Sequence, residues 1–340
     1  MSETTGTSAP SGTQQIRSLI TALGMLPVLI LLAVGFHLMT GKFLSVNNLS
    51  IVMQQASINI VLAAGMTFVI LTGGIDLSVG STLAAAAMGA VIMSLVPGLG
   101  WLGILAGLGI GLIFGLANGA LIAFLALPPF IVTLGTLVAG RGIGLLLTES
   151  RGVILPNELF DFGSGSTFGI PNPILVFLVI AVVGHLILSR TVMGRHIYAV
   201  GYDAATAKKA GIPVNRTLGS VYLVSGFCAA LGGFVSVSQL GIVNAGFGEF
   251  SELYAIAAAV LGGTSLFGGI GSILPGTVLG AVLIQMVQSG LVFVRVDIYL
   301  QPIIQAAIIF FAVLLDSIRS RKLADLGKRR IRIEEETTGG

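Results

Sequence analysis

The sequence predicts an all-α integral membrane protein, a bundle of about ten apolar transmembrane helices with both termini in the cytoplasm. Three observations predict it. Hydrophobic residues make up 55% of the chain and charged residues only 9%, with a mean hydropathy of +1.02, whereas soluble domains carry about 25% charged residues. Long tracts contain no Asp, Glu, Lys or Arg at all. The basic residues are shared unevenly between alternate connections.

The charge-free tracts run over 18–41, 43–75, 77–140, 162–189, 217–248, 253–294 and 298–315. A helix needs about 20 residues to cross about 30 Å of hydrocarbon. Split at Pro97-Gly98, at Pro128-Pro129 and at the glycines near 268–271, the tracts hold one, one, three, one, one, two and one spans in order. They are continuously apolar and do not alternate over about ten residues, so they read as helices and not as barrel strands.

An even number of spans puts both termini on one side. With cytoplasmic termini, the inside holds Arg17, then Arg190, Arg195, Lys208, Lys209 and Arg216, then Arg319, Arg321, Lys322, Lys328, Arg329, Arg330 and Arg332, thirteen in all. Lys42, Arg141, Arg151 and Arg295, four residues, fall outside. Cytoplasmic loops carry the excess of Lys and Arg, which orients the chain. The basic tail abuts a span, so it points to the membrane side and not to a nucleic-acid partner.

Residues 1–17 are small and polar and lack the basic start of a cleaved signal, which reads as a disordered cytoplasmic leader. The membrane domain is expected over 18–318, with an external loop at 149–172 and one long cytoplasmic loop at 190–216. Residues 319–340 form a basic and then acidic tail. A single cysteine, Cys228, excludes an intramolecular disulfide and a multi-cysteine metal site.

Glycine is the second organising signal. Gly103, Gly107, Gly111, Gly115 and Gly119 recur every fourth residue and lay a flat strip along about 24 Å of one helix face. It suits either static backbone packing or a sliding gate. Residues 80–91 (GSTLAAAAMGAV) and 271–282 (GSILPGTVLGAV) agree at six of twelve positions, each after a glycine-rich break. Such internal symmetry is common in transporters.

Asp76 is the only charged residue between Lys42 and Arg141. Two readings stand: a proton-coupling acid, which is costly in a bilayer, or a cap on the N–H groups of the helix that starts beside it. Amide side chains at Gln55, Asn59, Asn118, Gln285, Gln288, Gln301 and Gln305 are candidates for a translocation path, because amides suit hydroxyl-rich solutes; interhelical bonding is the competing role. Residues 203–210 read as a short helix with Asp203 at its start, Lys208 and Lys209 in its last turn and Gly211 and Pro213 beyond its end. No GxxxxGK[ST], HExxH or GxSxG occurs, so no nucleotide, zinc or serine-hydrolase chemistry is indicated. The GxGxxG at Gly98, Gly100 and Gly103 joins two apolar tracts and fails the dinucleotide context.

LTGGIDLSVGS at 71–81, MGRHIYAVGYDAATAKKAGI at 193–212 and YAIAAAVLGGTSLFGGIGS at 254–272 resemble the permease subunits of bacterial ATP-binding-cassette importers for simple sugars, the ribose permease branch in particular. The resemblance runs from about residue 45 to residue 317. It implies a transport subunit and not an enzyme, placed in the bacterial inner membrane. The implied partners are a second permease chain, identical or paralogous, a cytoplasmic ATPase that binds the ATP and Mg, and an external sugar-binding protein. This chain is then expected to bind no cofactor of its own. The family's ATPase-docking segment matches at Gly194, Ala199, Gly201, Ala207 and Gly211, and its break motif at Gly73, Gly74, Asp76, Ser78 and Gly80. Tyr254 stands where ribose-type members carry an acid, and Pro275 lies in the following helix. An ion-coupled secondary carrier and a branched-chain amino-acid permease are the alternative functions.

Overall fold

A computed structural model describes residues 25–244, 246–307, 310 and 314, without the side chains of Asn157 and Glu158. The expected leader at 1–17 and tail at 319–340 lie outside the described residues. The protein is helical almost throughout. Helices α1 (Leu26–Thr40), α2 (Val46–Leu71), α3 (Val79–Ser94), α4 (Leu102–Ala123) and α5 (Pro129–Leu147) make the first half. Strand β1 (Val153–Ile154), helix α6 (Asn157–Ser164) and the hairpin β2 (Ser166–Thr167) and β3 (Ile170–Pro171) come next. Then come α7 (Asn172–Arg190), α8 (Val192–Tyr202), α9 (Ala204–Lys209), α10 (Val214–Leu240), β4 (Ile242–Val243), α11 (Ser251–Leu261), a wide turn at Ile273–Thr277 and α12 (Val278–Phe293). Residues 301–307 are again helical.

Local chemistry sets several boundaries. Pro27 opens α1, where its missing N–H costs no bond. Gly41 closes α1 in the left-handed conformation at φ +69°. The Ser45 hydroxyl accepts from the Asn48 N–H and starts α2.

Among the described residues, six helices are long and apolar enough to cross a membrane: α2, α4, α5, α7, α10 and the segment Ile273–Phe293. Helices α1, α3 and α11, of 15, 16 and 11 residues, are apolar but shorter. Two of these shortened helices adjoin glycine-rich breaks, α3 after residues 72–78 and α11 before residues 262–272. A charge-free tract and a full-length crossing are therefore not the same thing.

Helices α2 and α10 and the segment Ile273–Phe293 form the centre. Buried residues make up 83% of the apolar window of α2 and 61% of those of α10 and Ile273–Phe293, against 28%, 22% and 28% for α4, α5 and α7. The last three therefore present most of their side chains outward, as lipid-facing helices do. Ile60, Val61, Phe68, Val221, Tyr222 and Ile273 belong to one apolar cluster, and Leu62, Met66, Ile70, Leu83, Val91 and Val237 to a second, with α2 contributing to both.

The glycine strip of α4 is shared between two neighbours. A methyl at Gly107 would meet the Ala86 carbonyl oxygen of α3 at 2.9 Å. One at Gly115 would meet the Tyr222 carbonyl oxygen of α10 at 2.6 Å, and one at Gly119 the Gly219 oxygen at 2.7 Å. Gly226 on α10 answers with a backbone seated against Gly111 and Gly115. The strip thus packs backbone to backbone against both neighbours.

Two expectations are corrected. Arg141 does not sit in an external connection; it lies inside α5 and donates to the Phe247 oxygen at 2.5 Å and the Gly248 oxygen at 2.9 Å. The charge-free tract ended at residue 140, but the guanidinium is satisfied by two backbone carbonyls, which lets the helix continue past it. Residues 149–172 are likewise more than a loop: they carry α6 and a hairpin, and β1 pairs antiparallel with β4 through Val153 with Val243 and Ile154 with Ile242.

Candidate functional site

The break between α2 and α3 is built round Asp76, which is 2% exposed. Its Oδ1 accepts from the Ser78 N–H at 3.0 Å and the Ser78 hydroxyl at 2.5 Å, and its Oδ2 accepts from the Ser225 hydroxyl of α10 at 2.7 Å. Asn118 of α4 donates to the Ser78 Oγ at 2.8 Å and accepts from Thr136 of α5 at 2.5 Å. One carboxylate thus ties α3, α4, α5 and α10 together. The expected cap on the first turn of α3 is corrected in detail: Ser78 occupies the N-cap in a helical conformation (φ −79°, ψ −7°), and no side chain bonds the helix N–H groups there. A capping side chain works from an extended N-cap residue, so Asp76 reaches the cap residue itself and not the turn behind it. All its partners donate and none is ionisable, which gives the proton-relay reading no support.

Glycines around Asp76 make room for this joint. A methyl at Gly74 would strike the Tyr222 hydroxyl at 2.5 Å, and one at Gly80 the Gly248 oxygen at 2.7 Å and the Glu252 carboxylate. Gly73 takes φ +79°, a left-handed conformation that glycine adopts without strain. The Tyr222 hydroxyl is buried with no hydrogen-bond partner among the described residues.

Five of the seven amides fall into two groups. Gln285 of α12 accepts from Asn59 of α2 at 3.0 Å and donates to Gln55 at 2.8 Å and to Ser289 at 3.2 Å, so its hydrogen-bonding capacity is largely used between helices. Tyr254 of α11 donates to Gln305, and Gln288 lies beside the same hydroxyl. Asn118 and Gln301 join neither group. Asn118 is 1% exposed with both ends of its amide occupied in the Asp76 joint, which corrects its place on a path; Gln301 bonds the nearby Val296 oxygen at 3.1 Å. Ser289, Tyr254 and Arg141 were missed. Ser289 carried a signal, standing four residues after Gln285 on the same helix face.

The polar end of the bundle at residues 190–213 holds α8 and α9. Thr191 caps α8 by accepting from the Gly194 N–H at 3.2 Å. The Asp203 Oδ1 accepts from the Ala205 and Thr206 N–H groups at 2.8 and 3.0 Å and starts α9. Bonds from the Thr206 N–H and hydroxyl and the Ala205 N–H hold the Asp203 carboxyl below its ordinary value. Ala207 is buried, Gly211 ends the helix at φ +81°, and Lys208 and Lys209 sit in its last turn. Gly194 packs on the Leu188 and Ile187 carbonyls and Ala199 is half-buried. The Tyr198 hydroxyl donates to the Gly271 oxygen at 2.8 Å, and burial pushes its pKa up to about 12, so it remains a donor.

A model of the branched-chain amino acid transport system permease component matches residues 48–313. The chain belongs to this permease family. The permease is 38% identical over 301 residues to the ribose import permease of Escherichia coli strain K12, covering 86% of this chain and 92% of that one. It is 35% identical over 294 residues to the D-allose transport system permease of the same strain, covering 86% and 90%. It is 36% identical over 285 residues to the fructose import permease of Bifidobacterium longum, covering 82% and 80%. No solved structure matches it. The permease is a multi-pass membrane subunit of an ATP-binding-cassette importer in the ribose branch, a transport component and not an enzyme.

Proposed function

We propose that this permease forms the translocation path for a neutral simple sugar of the ribose type, handed over by an external binding protein and driven by a cytoplasmic ATPase that carries the ATP and Mg. The observation that carries the reading is the set of relatives named for ribose, allose and fructose import, each 35–38% identical over more than four-fifths of this chain. The proposed arrangement has about ten crossings over residues 18–318 with both termini cytoplasmic, in a bacterial inner membrane, and a second permease chain, identical or paralogous, completing the path. Gln55 is exposed and Asn59, Gln288 and Gln305 are half-buried, which leaves them able to meet a solute; Gln285 would position them.

The ATPase is proposed to dock on residues 194–212. Support comes from the capped α9, most of whose side chains are exposed, and from two exposed rings, Tyr202 at the end of α8 and Phe267 in the break that packs on it, 87% and 91% exposed. Uptake of labelled ribose in cells that depend on this importer tests the function, with allose, fructose and branched-chain amino acids as competitors. Competition by the sugars is the expected result, and competition by the amino acids alone would reject it.

A further inference from the structure

The two breaks of the bundle, residues 72–78 and 262–272, meet at one place, and α8 lies on both. The Gly269 N–H donates to the Leu71 oxygen at 2.9 Å, which joins the end of α2 to the second break. Gly201 of α8 is seated on that joint. A methyl there would drive into the Leu71 carbonyl oxygen and come within 2.6 Å of the Gly269 nitrogen. Gly268 closes the contact from the other side: its methyl would meet the Gly201 oxygen at 2.7 Å and the Gly73 nitrogen at 3.0 Å. One turn earlier on the same face of α8, Tyr198 donates to the Gly271 oxygen.

Three elements therefore touch backbone to backbone with no side chain between them to absorb movement. Close packing transmits displacement, because interiors have little free volume. The segments beyond the two breaks are related. The first break leads through the Asp76 joint into α3, and the second leads into α12, which carries Gln285. Their opening stretches, 80–91 and 271–282, resemble each other in sequence.

We propose that α8 is a clamp that moves both breaks at once, so that a push on the docking segment shifts the starts of α3 and α12 together, and that Tyr198 is the positioning residue holding α8 to the second break. The inference rests on the docking reading above for the source of the push. Tyr198 touches neither solute nor nucleotide; it acts through the Gly271 carbonyl. A purely structural bond would alter how much protein accumulates, whereas a clamp alters how much solute moves per ATP.

The test uses the full complex of permease, ATPase and binding protein in lipid vesicles, with labelled ribose as probe or whichever of allose and fructose competes best in cells. Tyr198→Phe is expected to keep ATPase association and to lower solute transported per ATP hydrolysed by roughly fivefold, the effect of one lost hydrogen bond on an equilibrium. Gly201→Ala is expected to lower it further. A wild-type ratio in Tyr198→Phe overturns the clamp whatever Gly201→Ala does, and a Tyr198→Phe chain that fails to accumulate assigns the bond to folding and overturns it too. Ala204→Glu, at an exposed position of α9, reports on docking separately: unchanged ATPase association there rejects the docking surface, while the Tyr198→Phe ratio still decides the clamp.

Discussion

Asp76 and Asp203 show how one residue type does different work in different surroundings. Asp76 accepts three hydrogen bonds inside the bundle, and removing it leaves the Ser78 and Ser225 donors unpaired where water is absent. Each unsatisfied buried donor costs about 1–3 kcal/mol. Asp76→Ala is therefore expected to lower the thermal unfolding midpoint of the detergent-purified permease and its level in the membrane, with Asp76→Asn intermediate; an unchanged midpoint would refute the joint. Asp203 is exposed, and its hydrogen bonds favour the charged form. A carboxyl whose folded value is depressed contributes stability above its ordinary value of 3.8 and loses it as pH falls through the lowered one. Protection of the 204–209 amides in hydrogen exchange, corrected for intrinsic rates, should then stay level from about pH 8 down to about pH 5. Asp203→Ala should reduce it, because the cap is lost, and Asp203→Asn hardly at all. The cap on α9 was legible because side chain and helix start are local; the partners of Asp76 were not, because Ser225 lies 149 residues away.

At the scale of elements, periodicity told more than composition. The four-residue spacing of glycines in α4 marked a close-packed face before any neighbour was known, but it could not say that α3 takes one end and α10 the other. The same geometry makes a paired test. Gly111 faces the Gly226 oxygen and the Ala230 side chain, whereas Gly109, on the same helix, has nothing within 4 Å of an added methyl. Gly111→Ala should destabilise by about 1–3 kcal/mol through overpacking. Gly109→Ala should be tolerated, since alanine is the better helix former. Membrane abundance and melting of the two variants check this, and equal behaviour would mean that the strip does not bear packing. The lengths of α3 and α11 depend on where the glycine-rich breaks at 72–78 and 262–272 turn the chain, which glycine spacing alone does not give. Arg141 shows the converse, since a charge satisfied by the Phe247 and Gly248 carbonyls does not end a helix.

For the whole molecule, orientation is the property on which the docking segment, the breaks and the path all depend. On the arrangement proposed above, thirteen basic residues fall on the cytoplasmic side against four on the other. Residues 190–216 then lie on the rich side with α8 and α9, while α6 and the β1–β4 ribbon lie on the other. Cys228 is 3% exposed and Cys228→Ala removes the only native thiol, so labelling can be read at a single introduced position. Ser164, in α6, and Thr206, in α9, are both exposed and belong to opposite faces in this arrangement. Ser164→Cys should react with a membrane-impermeant thiol reagent in intact cells. Thr206→Cys should react only after permeabilisation. If Thr206→Cys labels in intact cells and Ser164→Cys does not, the molecule is inverted and α8 and α9 face away from any cytoplasmic ATPase. If both label, the two segments share the external face, the number of crossings between them is even, and α7 is not the single crossing that separates them.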